Sequence, residues 1–175
     1  MDLVANQPVV YDLGTWTYGR KEVVPFEMPK HPTLGQIKRL QDAVGTLPNQ
    51  IEFKPEHYFA PGMYLRELAI AGDSVVVGKM HRHEHLVMLV SGEATVWTDK
   101  GMERITGPKV WKSPAGVKRA LYTHSDCLFY TMHATDETDL EVIEADTIIP
   151  EAQIEYSPQP TEQAALTNAL QGVYA

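Results

Sequence analysis

The chain has 175 residues, 43% of them apolar and 22% charged, with a formal net charge of −8. This is a globular composition that excludes wholesale disorder, and its acidic balance excludes a non-specific binder of phosphate backbones, which needs a basic face. No apolar run approaches a membrane span, the N-terminus lacks the basic-then-apolar layout of a signal peptide, and the single Cys127 rules out an intrachain disulfide and a sulfur-rich metal site. A cytoplasmic protein engaging neither membrane nor nucleic acid is therefore expected, and any metal must use imidazole, carboxylate or water.

In chain order, residues 1–56 read as an N-terminal extension, irregular and punctuated by prolines, with one short helix. That helix is expected in TLGQIKRLQDAVG, where Leu34, Ile37, Leu40 and Val44 share a face and Gly45 marks the stop. Residues 57–134 change character. Short alternating runs (MYLRELAI, SVVVGKMH, HLVMLVSG, EATVWT, MERITG, KVWKSP, KRALYTH, CLFYTMHA) are separated by turn residues, as in an antiparallel sandwich or barrel. TDKG between EATVW and MERI is a hairpin signal. The fold class is accordingly all-β, with helical extensions on both sides. Residues 135–175 form the C-terminal extension. Thr138 and Glu141 fit a capping box for one helix there, and TEQAALTNALQG predicts a final short helix ending at Gly172. The extensions are either loosely docked or wrap a partner subunit, and a homodimer is expected because the edge strands of a small barrel need cover.

His81, His83 and His85 lie two apart in GKMHRHEHLVMLVSG. In a strand such residues face one way and rise roughly 6.6 Å per step, so two imidazoles converge on one ion but the outer pair stands roughly 13 Å apart. Either two of the three are ligands, or the strand bends or bulges here. A lone histidine is ordinarily a hydrogen-bonded core residue; three on one face of a β-rich chain point to a site. Glu84 faces the other way, toward solvent or Arg82. Trp97, Trp111, Tyr122 and Phe129 read as core aromatics, and one of Tyr64, Arg66 and Glu67 is expected to line the barrel mouth. His124 flanks a turn and reads as a surface residue, while His31 and His57 receive no role.

This run resembles the first motif of the cupin family, G-x5-H-x-H-x3-4-E-x6-G, and GPKVWKSPAGVKRALYT resembles its second, G-x5-P-x-G-x2-H-x3-N. Gly92, Pro114 and Gly116 keep their places. Counting back from Gly92, the glutamate slot holds His85, the second histidine slot His81 and the first Lys79; the late histidine slot holds Arg119 and the asparagine slot Thr123. The chain is more narrowly similar to small cupin-like proteins encoded by bacteriophages and prophages, which would place it in a host cytoplasm. The resemblance implies an RmlC-like jelly-roll barrel over residues 57–134 and a metal site with His81 and His85 in two of its ligand slots; strand order adds His133, with His83 on the shared face as the alternate, and such a set suits a divalent transition ion (Zn, Fe, Ni, Mn or Cu). With a turn near Ser125, residues 119 and 131 would pair, placing His133 one same-face step beyond Arg119. Cupins include isomerases, dioxygenases, binding proteins and sensors, so enzyme status stays open. Two other functions compete: a metal-free module in which Lys79 and Arg119 bind a small anionic ligand, and a structural or assembly protein of a virion.

Overall fold

The computed structural model describes residues 9–17, 20–48 and 50–156, and side chains from Met28 onward. The N-terminal segment holds a hairpin, β1 (Val9–Thr17) and β2 (Arg20–Met28), paired antiparallel from Val9↔Met28 to Thr17↔Arg20. This corrects the expectation of an irregular extension. The predicted helix follows as α1 (Leu34–Gly45). Thr33 is its N-cap: the hydroxyl accepts from Gln36 N at 3.2 Å, and Gln36 Oε1 accepts from Thr33 N at 2.8 Å. This reciprocal box satisfies two of the amides that a helix start leaves unpaired. Ile37 and Leu40 are buried, as their spacing requires.

Nine more strands make two antiparallel sheets. They are β3 (Glu56–Ala60), β4 (Met63–Ile70), β5 (Val75–Val77), β6 (His85–Ser91), β7 (Glu93–Thr98), β8 (Gly101–Thr106), β9 (Lys109–Ser113), β10 (Ala120–Thr123) and β11 (Cys127–His133). One sheet runs β3-β4-β11-β6-β9 and the other β5-β10-β7-β8. The predicted TDKG hairpin joins β7 to β8, with Thr98 opposite Gly101. No ladder among the described residues joins the sheets, so they form an open sandwich and not the closed barrel expected. Ile70, Val87, Leu89, Cys127 and Phe129 from the five-stranded sheet meet Ala94 and Ile105 from the other in the core between them. The outer face of the four-stranded sheet is covered too: Met28, Ile37 and Leu40 pack on Trp97, Ala120 and Tyr122. The N-terminal segment is thus built onto the sandwich.

The chain changes sheets four times at one end. β4 passes to β5 through residues 71–74, β6 to β7 through Gly92, β8 to β9 through residues 107–108, and β10 to β11 through residues 124–126. The last crossing corrects the expected 119–131 pairing. A turn at Ser125 does not fold a hairpin here; it carries the chain across, so β10 pairs with β5 and β7 while β11 pairs with β4 and β6. These crossings stitch one end of the sandwich shut. The opposite end is bridged by two longer crossings, residues 78–84 from β5 to β6 and 114–119 from β9 to β10, which leave it more open, and α2 (Leu140–Thr147) lies against it, with Ile143 buried. The N-cap of α2 is Asp139, not Thr138: its carboxylate accepts from Glu141 N and Val142 N at 2.9 and 3.3 Å. A 3₁₀ turn, Glu151–Gln153, follows, and Lys118, itself buried, ties it to the sandwich by pairing with Glu151 at 2.8 Å. The final helix expected in TEQAALTNALQG lies outside the described residues. No helix among the described residues is long and apolar enough to cross a membrane.

Candidate metal centre

The open end of the sandwich gathers three histidines. His85 opens β6 opposite Ser113 of β9, and His133 closes β11 opposite Tyr64 of β4. Leu86 pairs with Met132, and extending that register by one residue sets His85 across from His133 on the inner face. His81 arrives by another route. Its backbone bridges Ile148 just after α2, Arg82 N donates to Thr147 O at 2.8 Å, and Gly116 N donates to the His81 carbonyl at 2.8 Å. Residues 82–84 bend, so the HRHEH run is not one straight strand. The bend brings the His81 and His85 ring centroids to 4.1 Å, where a flat strand would hold them roughly 13 Å apart.

The rings of His81 and His85 lie 5.1 and 4.8 Å from that of His133, and one ligand atom from each residue falls within 4.8 Å of the others. His81 Nδ1 and His85 Nδ1 are 3.2 Å apart. His85 Nδ1 also lies 3.0 Å from the His83 carbonyl, which can only accept, so His85 Nδ1 carries the proton and the residue offers its Nε2 lone pair to an ion. All three residues are buried, at 7%, 5% and 7% exposure. Burial, reinforced by the other two histidines and then by Arg66 and Arg119, lowers the pKa of His81 to about 2. Burial first, then His85 and Arg66, lowers that of His133 to about 4. Burial also lowers His85, against an opposing hydrogen bond between its Nδ1 and the His83 carbonyl at 3.0 Å. At neutral pH all three are uncharged and offer lone pairs, the form a metal requires.

The other predicted site residues lie apart from this cluster. The His83 side chain is 58% exposed and faces Asp146 at 3.6 Å, so the alternate ligand is directed outward by the same bend that unites its neighbours. Lys79 sits on the rim, 56% exposed and paired with Glu144. Glu84 pairs with Lys112 at 3.0 Å instead of Arg82. Arg119 is half-buried, donates from Nη2 to Ser113 Oγ, and lines a separate cavity of about 380 Å³ with His31, Thr98 and Trp111. His124, expected at the surface, is half-buried and lies 2.8 Å from Thr95 Oγ1.

The sequence missed a supporting layer. Tyr64, 5% exposed, stacks on His133 at 6.0 Å and on His57 at 5.8 Å, and its hydroxyl lies 2.7 Å from His57 Nδ1. The phenol ring thus lies between the rings of His133 and His57. Its own pKa is raised by burial, so it stays a phenol. Period-two spacing from Arg66, on the same face of β4, was the available signal. Beside this layer opens a cavity of about 460 Å³ with His81, His133, Tyr64 and Arg66 in its wall and α2 across its top.

No family model matches the chain, and no curated protein does. Solved structures with partial likeness include a cupin-2 domain containing protein from Shewanella frigidimarina (11% identity, 55% of this chain and 92% of that one, TM-score 0.41). A cupin superfamily protein from Desulfitobacterium hafniense is 12% identical over 53% of this chain and 87% of that one, with a TM-score of 0.42. An RmlC-like cupin family protein with a double-stranded β-helix fold from Methanocaldococcus jannaschii is 10% identical over 51% and 86%, with a TM-score of 0.41. Each likeness spans about half of this chain.

Proposed function

We propose that this is a cupin-like metal-binding protein that holds one divalent transition ion on His81, His85 and His133. The observation that carries this is the convergence of three buried, uncharged imidazoles, with ligand atoms within 4.8 Å of one another, at the open end of the sandwich. Three imidazole ligands leave coordination positions for water or a small molecule, and a bound ion would supply Lewis acidity at the cavity wall. The chain's own part is to hold the rings: the β6–β11 register sets two of them, the bend at residues 82–84 returns the third, and Tyr64 backs His133. Elemental analysis of untagged protein, purified without added metal, tests this. About one ion per chain is expected, and a metal content near zero that stays there after reconstitution overturns it.

The depressed histidine pKa values set the pH range. An unperturbed histidine binds protons below about pH 6.5 and would release its metal there. With His81 held at about 2 and His133 at about 4, proton competition begins lower. Dialysis against a metal-free buffer at pH 5.5 is expected to leave the ion in place, with loss only toward pH 4. For the metal-free protein the sign follows from the same values. The unfolded chain binds protons below about pH 6.5 and the folded one does not, so stability is full above that pH. It falls as pH drops, by roughly 1.4 kcal/mol per pH unit for each buried histidine. A melting temperature flat from pH 7 to pH 4.5 would refute this.

A further inference from the structure

Arg66 lies on the inner face of β4, half-buried, in the wall of the 460 Å³ cavity that also holds His81 and His133. Among the described residues its guanidinium makes no hydrogen bond and no ion pair. The one carboxylate on the cavity wall, Glu144, is taken by Lys79 at the rim. A guanidinium that faces a cavity without a protein partner has its planar fork free to take a bound anion. The rest of the wall is largely apolar: Phe53, Leu68, Val76 and Ile143 line it.

We propose that this cavity binds a small organic monocarboxylate, its carboxylate on the fork of Arg66 and its apolar body against Phe53, Leu68, Val76 and Ile143. A single planar fork matches one carboxylate in bidentate geometry. The apolar lining gives an inorganic anion nothing to bury, and the rim cation Lys79 is already paired with Glu144. Arg119 is the weaker candidate on geometry. Its guanidinium is already engaged by Ser113, and its cavity contains none of the three clustered histidines. The proposal rests on the metal reading only in placing the carboxylate next to the histidine centre; the Arg66 contact itself needs no ion.

The test is calorimetric titration of the full chain with hexanoate and with uncharged hexanamide, on protein of measured metal content and again after chelation. Hexanoate is expected to bind the wild type, and hexanamide at least about tenfold more weakly. Arg66→Gln should lower hexanoate affinity at least about tenfold with an unchanged melting temperature, and Arg66→Lys should restore part of it. No hexanoate binding to the wild type, equal binding of the amide, or full affinity in Arg66→Gln each overturns the proposal. So does a loss produced by Arg119→Gln in place of Arg66→Gln. The two readings fail separately. Arg66-dependent hexanoate binding in protein that takes up no metal sinks only the metal centre, and a full metal complement without hexanoate binding sinks only the anion site.

Discussion

Replacing His81 and His85 together with alanine is expected to strip the protein of its ion. Their rings are the closest pair of the cluster, with centroids 4.1 Å apart, and neither His133 nor any exposed neighbour replaces them. Outer-layer partners of metal ligands alone are worth 10–100-fold in affinity, so loss of a direct ligand should cost on the order of 10²-fold or more, and loss of two should abolish binding at micromolar metal. His83→Ala is the internal control. That side chain is 58% exposed and turned to Asp146, so its removal should leave metal content unchanged. Thermal denaturation gives an independent readout. An ion at about a hundredfold over its dissociation constant stabilises a folded protein by about 2.7 kcal/mol; the wild type should show that gain and the double variant none. Full metal content in a natively folded His81→Ala/His85→Ala protein would remove these residues from the site.

The sequence showed where this site lies but not its shape. Three histidines at a spacing of two name the segment, since such a cluster is uncommon in a run that otherwise reads as buried strand. Which of them converge depends on the bend at residues 82–84, and nothing local forces that bend: it is held by backbone hydrogen bonds from Arg82 to Thr147 and from Gly116 to His81. Period-two logic therefore grouped His83 with its neighbours, whereas the bend sends it to solvent. Of Tyr64, Arg66 and Glu67 only one was expected at the mouth, and which one could not be ranked because their contacts come from other strands. Tyr64 earns its role only because the β4–β11 register sets it opposite His133.

The fold was legible to the same depth. Alternation identified eight of the nine strands of the two sheets, because each buries one face and local pattern records that, but it missed β3, whose residues are mostly exposed. Partner choice is non-local. Ser125 and Asp126 look the same whether they close a hairpin or carry the chain to the opposite sheet, so β10 and β11 were wrongly paired. The β1–β2 hairpin was hidden for a different reason. Pro25 removes a ladder donor and argues against a strand, yet here it occupies a ladder position opposite Asp12.

Gly92 is expected to be the position least tolerant of an added methyl group. It is the single residue between β6 and β7, so the whole change of sheet happens there, at φ 95°. That backbone conformation alone costs a non-glycine residue about 1–3 kcal/mol. Space is the larger obstacle: a Cβ would stand 2.2 Å from the Asp126 carbonyl oxygen and 2.9 Å from Cys127 Cα. Both are backbone atoms of the β10–β11 crossing, and that crossing is anchored to the same corner by His124 N donating to Glu93 O at 2.8 Å and Ser125 Oγ accepting from Glu93 N at 3.0 Å. Relief means parting the two crossings, so Gly92→Ala should cost roughly 3–5 kcal/mol, about 10 °C or more in melting temperature for a chain of this size. Gly116→Ala separates the two effects. Its φ is 73°, but nothing lies within 4 Å of an added Cβ, so only the conformational penalty of about 1–2 kcal/mol applies. If both variants melt together, crowding at the corner is not what makes Gly92 necessary. If Gly92→Ala melts near the wild type, the close packing of the two crossings is wrong.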